Sequence, residues 1–277
     1  MHSTSSMSWF GRLSLGGGLA FLYLPIVVLV VYSFNASKLV SVWAGFSLGW
    51  YQTLFEDEAV MAAFGLSLKV AVLASAMSVV LGTLAGLVMA RFGPFRGKSL
   101  FAGMLTAPMV MPEVITGLSM LLLFVSMQQW VGFPEERGVL TIWVGHVTLC
   151  TAYVTVVIRS RLVEMDRSLE EAAMDLGARP LKIFFVITLP LILPAIASGF
   201  LLSFTLSLDD LVMTAFLSGP GSTTLPQLIF SRVRLGLNPE INALGTLTVL
   251  VVAVLVISAN RIMLRQEKRR AALAAAS

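Results

Sequence analysis

The stretch EEAAMDLGARPLKIFFVITLP, residues 170–190, is polar at its start and lies between two apolar runs long enough to cross a bilayer. Its own pattern is a bent pair of helices. Ser168-Leu169-Glu170-Glu171 has the spacing of a capping box, in which the Ser168 hydroxyl accepts from the amide of residue 171 while Glu171 reaches back to the amide of Ser168. Ala172, Ala173, Met174 and Leu176 carry the helix on, and Gly177 suits the left-handed position that ends it. Pro180 fits the first position of a second helix, Leu181 to Thr188, and Pro190 and Pro194 prepare the next apolar run.

Around this segment the chain is built for lipid. Of its 277 residues 12% are charged, against about a quarter in a soluble domain, and the mean hydropathy is +0.89. Six apolar runs, 13–33, 62–90, 99–125, 139–158, 193–217 and 241–262, can each span ~30 Å of hydrocarbon as a helix. They must be helical, because lipid satisfies no backbone amide. The expected fold is all-α and polytopic, with six transmembrane helices. The first run follows Arg12 as a secretory signal would, but it is too long for one, lacks a small-x-small cleavage site, and precedes five further spans. Cys150 is the one cysteine, so no intramolecular disulfide can form, and it is expected to be a small buried hydrophobe.

Orientation follows from the 19 Lys and Arg residues. Fourteen fall at the N-terminus, in the second-third loop, in the fourth-fifth loop and in the tail; Lys38, Arg137, Arg232 and Arg234 lie on the other side, and Lys69 lies within a span. Both termini, the 159–192 loop and the 263–277 tail are therefore expected in the cytoplasm. The net charge of +4 reflects this asymmetry, so no nucleic-acid partner is called for. Residues 159–182 carry ten of the 34 charges, which puts the loop in water, either as a solvated connection or as a docking element.

Spacing favours docking. Glu171-Ala172-Ala173, Gly177 six positions after the Glu, Ile187 ten after the Gly, then Leu189-Pro190 match the EAA loop of ABC-importer permeases at every fixed position. The chain therefore resembles that family, over nearly its whole length. The resemblance implies a type I ABC importer permease fold, one transmembrane domain over 1–277, and a coupling helix seated in a groove of a cytoplasmic ATPase subunit. It further implies a homologous permease partner, two ATPase subunits that use ATP and Mg, a periplasmic binding protein, and a bacterial inner-membrane location. VYSFNASKLVSVWAGFSLGWY (31–51), APMVMPEVITGLSMLLLF (107–124), FTLSLDDLV (204–212) and SGPGSTTLP (218–226) look like permeases of spermidine and putrescine importers, most of all the putrescine-specific branch. These phrases carry the substrate expectation; hydropathy does not.

Other chemistry is weaker. Arg91-Phe92-Gly93-Pro94-Phe95-Arg96-Gly97-Lys98-Ser99 ends in the GKS of a phosphate-binding loop, but its first glycine is one place late and it joins two membrane helices. A positive-inside turn accounts for it. No Asp/Glu cluster, His pair or Ser-His pair has catalytic spacing, so the chain is not expected to be an enzyme or to bind a cofactor itself. His146 and Cys150 share a helix face, yet two soft ligands without a third make no metal site.

Carboxylates inside hydrocarbon normally face a pathway or a partner. Glu113, Asp209 and Asp210 all sit ~20–25 Å from the cytoplasmic end of their spans at 1.5 Å per residue. Pro108 and Pro112 remove helix donors beside Glu113, and Ser207 adds a hydroxyl. The result is an acceptor-rich site suited to alkyl-ammonium groups. Lys69 offers the competing reading of a structural ion pair, but one lysine cannot neutralise three acids. Trp50, or alternatively Trp43, could hold an ammonium by cation–π contact, although an aromatic belt explains tryptophans there equally. Gly82 and Gly86 form a G-x-x-x-G whose packing partner is open, and Ser218-Gly219-Pro220-Gly221 reads as a turn, where the family implies contact with a solute-binding protein. The expected function is uptake of putrescine or a related polyamine across the inner membrane, driven by separate ATPase subunits. A permease for another solute and an ion-coupled secondary carrier are the alternatives.

Overall fold

A computed structural model describes residues 8–39, 42–235 and 239–276. Its helices in chain order are α1 (Trp9–Tyr32), α2 (Gly49–Glu56), α3 (Glu58–Arg91), α4 (Lys98–Val110), α5 (Glu113–Val131), α6 (Val139–Glu164), α7 (Ser168–Asp175), α8 (Pro180–Ile183), α9 (Leu189–Leu208), α10 (Val212–Leu217), α11 (Leu225–Leu235) and α12 (Glu240–Ala276). A π turn, Phe184–Thr188, joins α8 to α9. Among the described residues six helical stretches have the length and apolarity of membrane spans: Trp9–Tyr32, Glu58–Arg91, Glu113–Val131, Val139–Glu164, Pro180–Leu208 and Glu240–Ser258. Ser277 of the expected tail lies outside the described residues; the backbone of 263–276 continues α12.

Three local expectations change. The third apolar run breaks beside Glu113, but only at Met111-Pro112, since α4 runs through Pro108, and the fifth is broken at Asp209–Leu211. The second elbow helix does not stop at Thr188. It runs through Leu189-Pro190 into the membrane, and the π turn, in which the Leu189 N–H donates to Phe184 O, precedes the proline whose ring and missing N–H a regular helix would not accommodate. The capping box is also replaced. Ser168 is the first helical residue of α7 and the Asp166 carboxylate accepts from its N–H at 2.9 Å, because the helix begins too early for the Ser168 hydroxyl to reach the amide of residue 171, which donates instead to Arg167 O.

Contacts divide the chain into two compact units, 1–61 with 229–254 and 62–228 with 255–277. In the first, Asn35 organises the segment after α1. Its side chain donates to Val42 O and accepts from the N–H groups of Ser37 and Ala44, and its backbone pairs with Phe46 in an isolated bridge. Arg232 bridges Asp57 at 2.6 Å and Glu240 at 3.0 Å, and its hydrogen bond holds the Asp57 carboxyl below the usual carboxylate range.

In the second unit α6 is central, with Ile142, Leu149, Val154, Ile158 and Leu162 all buried. One core joins Val70, Phe124, Ile142, Leu149, Met213 and Leu217; the other, toward the elbow, joins Ala90, Val154, Ile158, Leu162 and Ile192. The G-x-x-x-G faces this bundle: a Cβ at Gly82 would lie 2.6 Å from Val154 Cγ1 and one at Gly86 3.0 Å from Ile158 Cγ2. Gly199 of α9 approaches the same Val154. Small residues thus let α3 and α9 close on α6, where lipid offers no hydrophobic drive and packing must hold the helices. Gly82→Leu should lower stability by about 1–3 kcal/mol through overpacking, read as a fall in the thermal unfolding midpoint of the detergent-solubilised protein; an unchanged midpoint would show that the approach is not tight.

Candidate substrate pathway and coupling elbow

The break at 209–211 exposes backbone groups that need partners. Asp210 supplies them for the start of α10: its carboxylate accepts from the N–H of Met213 at 3.3 Å and from the N–H and hydroxyl of Thr214 at 2.8 and 2.7 Å. His146 of α6 lies against the same group, with Nε2 3.1 Å from Asp210 Oδ2 and 3.0 Å from Thr214 Oγ1, and Nδ1 2.6 Å from Ser207 Oγ. All four residues are buried. This brace ties both halves of the broken helix to α6, satisfying orphan amides as a buried break requires.

Asp210 and Ser207, expected in the pathway, are therefore engaged in structure. Among the described residues Lys69 is exposed and pairs with neither aspartate; the partner of Asp210 is His146. His146 escaped the sequence reading because its three partners lie at least 61 positions away in the chain. Cys150, one turn along, is buried, with Sγ 3.6 Å from Ser203 O, and no cluster of metal-binding side chains occurs among the described residues.

Glu113 and Asp209 differ. Both are exposed, and neither side chain is in an ion pair among the described residues. α5 and α10 both run away from the elbow, since α4 and α9, which they extend, start at that end. They pack side by side, because a Cβ at Gly117 would lie 2.8 Å from Phe216 Cδ2 and 3.5 Å from Met213 Cα. Glu113 is the first residue of α5, and Asp209 is the residue that ends α9, so each carboxylate stands at a break just before this packed pair. The C-terminal ends of α4 and α9 stop at the same breaks, and terminal carbonyls carry partial negative charge. Acids and carbonyls together attract cations.

Trp50 belongs to the first unit, and its indole N–H donates to Asn35 O at 2.8 Å. Its polar edge is thus held by the segment that Asn35 organises. Trp43 packs edge-on to Tyr32, centroids 6.1 Å apart. The 218–221 segment is a turn, with Ser222 Oγ donating to Gly219 O and accepting from Gly219 N–H, each at 2.8 Å.

At the other end stands the elbow. Gly177 has φ +81°; its N–H donates to Met174 O at 2.8 Å and that of Ala178 to Ala173 O at 3.0 Å, a complete Schellman motif. Arg179 is extended and Pro180 opens α8. Glu171, Ala172, Gly177 and Pro190 are exposed, and Ala173, Ile187 and Leu189 half-buried. Leu176 and Leu181 are 89% and 74% exposed, beside a shallow groove lined by Ala173, Leu176, Gly177, Ala178, Arg179 and Lys182. In the 91–99 stretch the lysine is occupied: Lys98 Nζ donates to Phe92 O and Gly93 O, closing the end of α3.

Residues 82–272 match the family described as binding-protein-dependent transport system inner membrane component. The chain belongs to this family. It is accordingly a multi-pass inner-membrane protein and a membrane component of a transport system rather than an enzyme. Among relatives, it is 62% identical over 253 residues to the putrescine transport system permease protein PotI of Escherichia coli K12, covering 91% of this chain and 90% of the relative. It is 38% identical over 256 residues to the spermidine/putrescine transport system permease protein PotC of the same organism, covering 91% and 94%. Among solved structures, a bacterial ABC transporter that imports the acidic polysaccharide alginate has a chain with TM-score 0.74 at 18% identity, covering 91% and 92%. The fold is that of type I ABC importer permeases.

Proposed function

We propose that this chain is the permease of an ABC importer that carries putrescine or a related polyamine inward, its termini and elbow in the cytoplasm. The observation that carries the reading is the pair Glu113 and Asp209, two exposed carboxylates in no ion pair, each standing where a span breaks. An alkyl-diammonium ion offers them charge-assisted hydrogen bonds, whereas an anion would be repelled. The names of the two Escherichia coli relatives support the same substrate class. Asp210, Ser207 and His146 hold the break in shape, and Trp50 is the aromatic candidate for an ammonium on the outer side.

The elbow supports the coupling. Leu176 and Leu181 expose apolar surface in a segment rich in charge, as a surface awaiting a partner does. The partner is one of two cytoplasmic ATPase subunits, which bind ATP and Mg; this chain binds neither. Glu171 and Arg179 fix register by charge, and Ala172 and Ala173 permit close approach. A homologous permease completes the pathway, lipid covers the remaining apolar surface, and a periplasmic binding protein delivers the polyamine near the 218–221 turn. ATP-driven closure shifts the elbow and biases the bundle between outward and inward openings.

The test is purification with co-expressed partners in lipid nanodiscs. Putrescine-loaded binding protein should stimulate ATP hydrolysis above the level without putrescine. Stimulation by an unrelated solute alone would reassign the substrate, and uptake that follows an ion gradient without ATP would favour a secondary carrier.

A further inference from the structure

Glu170 and Glu171 are neighbours on α7, so their side chains leave the helix about 100° apart. Glu171 faces solvent, whereas Glu170 turns inward. Glu170 Oε2 lies 2.8 Å from Arg91 Nε, in an ion pair whose two side chains are each 14% exposed. Glu170 Oε1 accepts from the Thr188 hydroxyl at 2.7 Å. Arg91, the last residue of α3, also donates through Nη1 to Leu162 O near the end of α6, at 2.8 Å. Arg167, just before α7, donates to Ala90 O at 2.6 Å.

One carboxylate thus joins the elbow to the end of α3, and through Arg91 to α6, while its second oxygen holds the π turn that feeds α9. Exposed ion pairs are soft, screened links; this pair is mostly buried and is anchored at both ends, by Arg91 Nη1 on Leu162 O and by Glu170 Oε1 on Thr188. We propose that Glu170, acting through Arg91 and Thr188, is the positioning residue that makes the elbow and the adjoining ends of α3, α6 and the fifth span move as one body. The proposal rests on the reading that α7 receives the ATPase stroke. Without Glu170, the Arg167–Ala90 bond ties only the start of α7, and a push on the helix bends the elbow instead of displacing the spans. The adjacent glutamates thus have separate roles, Glu171 meeting the partner and Glu170 passing the displacement inward.

The experiment uses the assembled transporter in proteoliposomes and measures ATP hydrolysed per putrescine imported. In Glu170→Ala the ATPase subunits should stay attached and loaded binding protein should still stimulate hydrolysis, while the ratio rises about tenfold, as loss of a coupling free energy implies. The double variant Arg91→Cys with Glu170→Cys, in a Cys150→Ala background, should show the same loss. A short bis-thiol-reactive crosslinker should then restore the ratio by replacing the ion pair with a covalent link. If Glu170→Ala does not assemble, the double variant before and after crosslinking decides. An unchanged ratio in Glu170→Ala, or no recovery on crosslinking, overturns the proposal and leaves ATPase docking intact. An unaltered complex without ATP-driven uptake would overturn both.

Discussion

Uptake should be lost in Gly177→Pro while the protein still inserts in the membrane. Two physical terms act at this residue. Its φ of +81° lies far from the value near −65° that a proline ring imposes, and proline removes the N–H that donates to Met174 O. The misfit costs about 3 kcal/mol or more, enough to unmake the bend between α7 and α8. Gly177→Ala retains the N–H and meets only the strain of a left-handed L-residue, about 1–2 kcal/mol, so partial uptake should remain. Nothing lies within 4 Å of a Cβ there, so conformation rather than crowding sets the order glycine, alanine, proline. Glu171→Lys reverses an exposed charge without touching the bend and should weaken ATPase attachment. Full transport by both Gly177→Pro and Glu171→Lys would remove the elbow from the mechanism.

Glu113→Gln and Asp209→Asn should each raise the putrescine concentration for half-maximal uptake about tenfold to a hundredfold, since a hydrogen bond to a charged group is worth about 1.5–3 kcal/mol. Both side chains are exposed and unpaired, so assembly and basal ATP hydrolysis should be retained. Asp210→Ala should behave differently. It strips the cap from Met213 and Thr214 and leaves His146 without its carboxylate, so the assembled protein should itself become less stable, as loss of a buried partner does. Measuring uptake and thermal midpoint together separates the cases. Unaltered uptake kinetics in Glu113→Gln and Asp209→Asn would exclude these acids from the pathway.

The spans were legible because composition over ~20 residues is a sum, and neighbouring packing does not alter it. The Gly177 turn was legible because a local backbone requirement admits few residues. Legibility failed where one sequence feature has two structural uses. Asp209-Asp210 reads as a pair of equal acids, yet Asp209 is exposed and Asp210 caps a helix. Glu170-Glu171 reads as a capping-box doublet, but Asp166 caps the helix and Glu170 finds Arg91, 79 positions away. His146 has no local signal at all, since its partners belong to the far side of the elbow.

The sequence alone determined six crossings, a charged bend between the fourth and fifth, and the family to which that bend belongs, because hydropathy, charge and turn chemistry are properties of short segments. Only the tertiary structure decided which carboxylates are held and which are open, which helix the Gly82-Gly86 face meets, and that the elbow is bound through Glu170. Those outcomes depend on which distant groups satisfy a buried charge or an orphan amide, and only packing brings such groups together.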